Sequence, residues 1–161
     1  MKVKSIIFVH NFFEWKSFFS AVFVWYPIRL LTQSYWNHCA LLVELGGQDW
    51  IVEALGKGVT MTPRSVWELR ARRKTVFMNG EYYPLWLTDA IGKRYDYVSI
   101  LWWKIIKIIT GSWYGPKWEQ AKKAVFCSEL CAMVVDCPHP WDISPGELYT
   151  YLIDYKNLKP L

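Results

Sequence analysis

Residues 38–54, HCALLVELGGQDWIVEA, decide the fold. Two runs rich in Val, Ile, Leu and Trp flank the pair Gly46-Gly47, and glycine tolerates the positive φ that a tight two-residue turn between antiparallel strands requires. The stretch therefore reads as a β-hairpin. With Gly46 and Gly47 as the turn, Glu53 falls opposite Ala40 and on the same face as His38, as a diagonal neighbour at about 7–8 Å between Cα atoms. A glutamate side chain spans that gap. A loop one residue longer would put His38 and Glu53 on opposite faces, since side chains alternate along a strand.

Outward from the hairpin, residues 3–9 (VKSIIFV) read as a further strand, and Phe12 to Thr32 as a helix apolar on every side and broken at Pro27. Thr62-Pro63 reads as a helix start, a cap followed by proline at the first helical position, leading into VWELRARR. Lys74 to Met78 reads as a strand. After Asn79-Gly80 the pattern turns helical, ending near Gly92, and residues 98–109 (VSILWWKIIKII) read as another helix, followed by a loop at Trp113 to Pro116. Cys127, Leu130, Cys131, Val134 and Val135 recur at helical spacing and form one apolar face, closed near Cys137-Pro138. Ser144-Pro145-Gly146-Glu147 has capping-box spacing and opens a last helix through LYTYLI. The sum is an α+β domain, one unit over residues 1–161: a small antiparallel sheet from the first half, helices mainly from the second.

A chain of 161 residues, 53% hydrophobic and 18% aromatic, has ample material for one buried core, which excludes disorder over most of its length. The net charge of +5 gathers partly in Arg70, Arg72, Arg73 and Lys74. That tetrad reads as a solvated helix end, where cations complement the dipole, and a nucleic-acid partner is not expected. The opening MKVKSIIFVHN has no apolar run before a small-residue cleavage site, so a cytoplasmic chain with reduced thiols is expected. Ser17 to Ile28 is uncharged over 12 residues but is too short to span a bilayer, which takes about 20 residues.

The search for a nucleophile is short, with four cysteines and three histidines. A cysteine attacks as thiolate, and the field of a helix N-terminus together with a nearby imidazole lowers its pKa. Cys127 alone falls at a helix start. Cys131 lies one turn in on the buried face, Cys39 lies within a strand, and Cys137 lies at a helix end, where the dipole has the wrong sign. Among the histidines, His38 begins a strand and can be held rigidly against a helix N-terminus, whereas His10 follows the first strand and His139 sits between prolines. Glu53 on the partner strand is placed to hold the imidazole in its working tautomer.

In the order NHCALLVE, IVEALGKGV, GKRYDY, FCSELC and SPGELY, over roughly residues 34–152, the sequence resembles the permuted papain-like cysteine hydrolases of the NlpC superfamily, specifically the YiiX-like branch related to lecithin retinol acyltransferases. In that branch the histidine strands precede the cysteine helix, as here. The resemblance implies a circularly permuted papain-like fold, with a small sheet or barrel packed against helices and the nucleophile at a helix N-terminus. It implies Cys127 as nucleophile, His38 as base, Glu53 as orienting group, and Tyr95 as a residue lining the site and helping to stabilise an oxyanion. This chain departs from the pattern in having Phe126 where many relatives carry a polar capping residue, and Cys39 where a small or aliphatic residue is commoner.

Two readings of other classes compete. Cys127, Cys131, Cys137 and His139 can be read as a zinc set, although a pair four residues apart on an apolar helix face is not the usual knuckle spacing. Residues 98–109, with Lys104 and Lys107 on one face, resemble an interfacial helix and suggest a module contacting a membrane surface or a protein; a core helix with two snorkelling lysines fits equally. The expectation adopted is a cysteine hydrolase or acyltransferase needing no metal or cofactor. It acts on an acyl-bearing substrate (peptide, amide or lipid), with peripheral membrane contact compatible with that activity.

Overall fold

A computed structural model describes residues 1–11, 35–69, 73–96 and 124–160. The described strands are β1 (Lys2–Asn11), β2 (His38–Leu45), β3 (Gln48–Leu55), β4 (Gly58–Pro63) and β5 (Arg73–Tyr82), with the short β6 (Arg94–Tyr95) and β7 (Ala124–Val125). The first five form one antiparallel sheet in the order β4-β3-β2-β1-β5, while β6 and β7 pair in parallel. The described helices are α1 (Arg64–Glu68), α2 (Leu87–Ala90), α3 (Cys127–Val134) and α4 (Pro145–Asp154), with a 3-10 turn at Pro140–Asp142. The protein is thus α+β. Among the described residues, no helix is long and apolar enough to cross a membrane.

Both faces of the sheet are covered, and this explains why the central strands are almost continuously apolar rather than alternating with polar residues. One face carries Ile6, Phe8, Cys39, Leu41, Val43, Val52 and Ala54, packed with Leu130, Cys131 and Val134 of α3 and Leu148 and Leu152 of α4. The opposite face carries Ile7, Val9, Ala40, Leu42 and Ile51 around the buried Trp67 of α1. The hairpin has the expected register: Leu45 pairs with Gln48 and Leu41 with Val52, and Gly46 and Gly47 sit at φ +60° and +77°. Extending that register sets Glu53 opposite Ala40, on the face of His38.

Thr62 and Pro63 are the end of β4, with Thr62 opposite Ile51 and Pro63 opposite Trp50, and the helix expected from Pro63 opens one residue later, at Arg64, with no side-chain cap. The helix that follows is a single turn ending at Glu68. Of the basic tetrad, Arg73 and Lys74 are not a helix end but pair with Asn11 and His10 as the start of β5, while Arg70 and Arg72 lie outside the described residues. Asn79-Gly80 does not end β5 either. The strand runs on to Tyr82 through an irregularity between Ser5↔Asn79 and Val3↔Tyr82, and the Tyr82 ring would lie 2.6 Å from a Cβ at Gly80. Glycine here marks a bulge and a close side-chain approach. The helix expected to end near Gly92 is reduced to the one turn of α2.

The helices expected over residues 12–32 and 98–109 and the loop at 113–116 lie outside the described residues. The last helix starts as expected, with the Ser144 hydroxyl accepting from Glu147 N–H at 3.3 Å and the Glu147 carboxylate accepting from Ser144 N–H at 2.8 Å. At the β3–β4 turn, Gly58 has φ +113° and packs so closely that a Cβ would lie 2.5 Å from the Lys93 carbonyl oxygen. Reciprocal hydrogen bonds of 2.9 Å, Val59 N–H to Lys93 O and Gly92 N–H to Val59 O, tie this turn to the segment leading into β6.

Candidate active site

The chain passes from β7 through Phe126, which is extended at φ −108° and ψ 171°, directly into α3 with Cys127 as its first residue. Phe126 offers no side-chain acceptor to the helix start. Glu129, in the first turn, reaches back instead, its carboxylate accepting from Phe126 N–H at 3.4 Å. The sulfur of Cys127 lies where the unpaired N–H groups of a first helical turn concentrate positive potential. Cys127 is 5% exposed and belongs to the core.

His38 is the first residue of β2 and Glu53 lies near the end of β3; both are buried. The His38 Nε2 is 3.0 Å from Glu53 Oε2. With Nε2 committed to the carboxylate, Nδ1 is the ring nitrogen left for a sulfur.

The β2–β3 ladder runs from Leu45 back to Leu41, and β3 continues past Val52 by pairing with β4. Residues 38–40 of β2 are laddered to β1 at Val9, Phe8 and Ile7. Cys127 interacts with both His38 and its neighbour Cys39 at this strand end.

Electrostatics follows from these contacts. Burial opposes charge on His38, but hydrogen bonds and attraction from Cys127 and Glu53 outweigh it and raise the imidazole pKa to about 10. Cys127 moves the opposite way, well below the ordinary thiol value. The Cys39 thiol, hydrogen-bonded to it, is the largest cause; burial opposes; His38 and the Cys39 backbone add to the lowering. Cys39 itself is pushed up, by burial first and then by Cys127 and Cys131. The arrangement favours a thiolate at Cys127 beside an imidazolium at His38.

Tyr95, half-buried, is placed by the pairing of β6 with β7, opposite Val125 and two residues before Cys127 in the neighbouring chain segment. Glu129 is pushed up to about 7, chiefly by burial and further by Asp96, against the lowering effects of Phe126 N–H and Lys93. Neither Glu129 nor Cys39 stood out as a functional residue in the sequence. The signal for Cys39 was its position next to the histidine and on the face turned towards α3. The zinc reading is not supported: among the described residues no three His, Cys, Asp or Glu side chains converge as metal ligands, and all four cysteines are free.

No protein-family model matches this chain. A search of curated proteins likewise finds no match.

Proposed function

We propose that this protein is a cysteine-dependent hydrolase or acyltransferase that forms an acyl-enzyme on Cys127, built on a permuted papain-like plan. The observation that carries the reading is the buried line Cys127–His38–Glu53, with the carboxylate 3.0 Å from His38 Nε2 and the cysteine first in its helix. Three side chains of these types in this order match what a nucleophile, a proton carrier and an orienting group need.

The Cys127 thiolate attacks a carbonyl carbon, and the carbonyl oxygen takes up negative charge. The backbone N–H of Cys127 at the helix start, with Tyr95 as a second group, stabilises that oxyanion. His38 delivers its proton to the leaving amine, alcohol or thiol as the carbon–leaving group bond breaks, which leaves a thioester on Cys127. His38, now neutral, takes a proton from water or from an acceptor nucleophile. That nucleophile attacks the thioester and returns Cys127 as thiolate beside a reprotonated His38. Glu53 keeps the ring oriented and stabilises its charged form throughout. Amides, esters and thioesters all satisfy this chemistry.

Intact-mass measurement after exposure to a panel of acyl donors and thiol-directed probes tests the reading. A single acyl adduct mapping to Cys127, absent from Cys127→Ala and slow to form in His38→Ala, is the expected result. Acylation of another cysteine, or a Cys127→Ala variant that still turns over substrate, would overturn it.

A further inference from the structure

We infer that Glu129 is a positioning residue of the same site: by accepting the Phe126 N–H, its carboxylate fixes the two peptide units that lead into α3, so that the Cys127 N–H is aimed at the carbonyl oxygen under attack. The inference rests on the assignment of Cys127 as nucleophile and deepens it by naming what holds the oxyanion donor.

The aim comes from the backbone. Val125 C=O and Phe126 N–H belong to one planar peptide unit, and both ends of it are held. The carbonyl accepts from Asp96 N–H at 3.4 Å, and the N–H donates to Glu129 Oε2 at 3.4 Å. Phe126 C=O and Cys127 N–H form the next unit. Here the carbonyl accepts from Leu130 N–H at 3.0 Å, the first bond of α3, and is therefore directed along the helix. In a trans unit the N–H points opposite to the C=O, and no described peptide bond is cis. The Cys127 N–H thus points out of the helix end, where the helix dipole favours negative charge. Within this set of three bonds, the one from Glu129 is the side-chain contribution.

A serine or aspartate at the cap position would bring an acceptor of its own to the open N–H groups of the first turn. Phe126 brings none. Glu129 secures the helix start from behind, through the N–H of the cap residue, and leaves the front of the turn to the charge of the reaction. It is only 3% exposed. Burying a carboxyl group is costly, and leucine or methionine would meet a packing need there without that cost.

The full chain serves for the test. Wild type, Glu129→Ala, Glu129→Asp and Glu129→Gln are treated at one neutral pH with p-nitrophenyl acetate and, separately, with iodoacetamide, and both adducts are read on the Cys127-bearing peptide by mass spectrometry. In acylation the sulfur lone pair forms the S–C bond while the carbonyl π pair moves onto oxygen, and p-nitrophenolate then leaves with the C–O pair. In alkylation the sulfur pair displaces iodide and no charge collects on an oxygen. The ratio of the two rates therefore reads the oxyanion donor and cancels any change in the thiolate fraction. Glu129→Ala removes the acceptor and Glu129→Asp draws it back by one methylene; in both the ratio should fall about 10- to 100-fold. Glu129→Gln keeps an acceptor at the same reach and should stay within about twofold of wild type. Because aspartate keeps the charge and loses the reach while glutamine does the reverse, their comparison holds even if the alanine variant does not fold. A ratio unchanged in the alanine and aspartate variants, or a glutamine variant as low as they are, would overturn the role of Glu129 while leaving Cys127 and His38 in place. A wild-type chain that takes up iodoacetamide at Cys127 but no acetyl group there would instead overturn the acyl-enzyme reading, and this inference with it.

Discussion

The His38 imidazole and the Glu53 carboxylate meet at 3.0 Å although they sit on different strands and diagonal positions, and each is at most 2% exposed. A buried carboxylate beside a ring nitrogen both orients the ring and favours its protonated form. Glu53→Gln keeps the volume and can still hold the ring, but it removes the charge. Its effect on acyl-enzyme formation should be smaller than that of His38→Ala, for which a loss of about 100-fold to 10,000-fold is expected. Single-turnover acylation rates check the order; an equal loss in both variants would mean that Glu53 does more than orient.

The pH dependence of that rate follows from the opposed shifts. The thiolate–imidazolium form persists until the pH passes the raised His38 value of about 10, and at the acid end it is lost only well below the ordinary thiol range. A broad plateau across neutral pH is expected, falling on the alkaline side near 10. A profile that instead climbs through pH 8–9, as a free thiol would, contradicts the ion pair.

Stability has its own dependence on the same histidine. A folded-state pKa above the unfolded value of 6.5 means that the native state binds the extra proton, so this contribution is complete below 6.5 and is lost as the pH rises through about 10. Urea midpoints of wild type should therefore decline between neutral pH and 10 more than those of His38→Gln.

Glu129 titrates in a lower window. Its folded value of about 7 lies above the ordinary 4.5, so the native state retains a proton that the unfolded chain releases, and stability falls as pH rises from 4.5 through 7. Glu129→Gln keeps an acceptor for Phe126 N–H and removes the titration, which should flatten that part of the curve and recover up to about 3 kcal/mol at pH 8. Denaturant titrations at pH 5 and pH 8 measure the difference between the two slopes.

Gly58 offers a test remote from the sulfur. Alanine at φ +113° with the Lys93 carbonyl in its path must push the β3–β4 turn away from the segment that carries Tyr95. A stability loss of about 1–3 kcal/mol is expected from the backbone alone. Thermal melts of Gly58→Ala against Lys57→Ala, its exposed neighbour, separate this from a general loop effect.

What the sequence determined by itself was local in origin. The Gly46-Gly47 turn set the register that carries Glu53 onto the face of His38. The Ser144–Glu147 pair set the start of the last helix, and the spacing from Cys127 to Val135 set the buried face of α3. In each case the deciding contacts lie within a few residues of one another.

The tertiary structure decided the rest, because the partners are distant along the chain. Thr62-Pro63 marked a helix start that is also the end of a strand, since Ile51 and Trp50 pair with it and shift the helix to Arg64, and Asn79-Gly80 looked like a break until β1 held it in the sheet. Cys39 looked like a strand residue among others. Its meaning came from α3, whose first turn packs against a strand some 88 positions earlier, and no local pattern encodes which helix will cover a given face of a sheet.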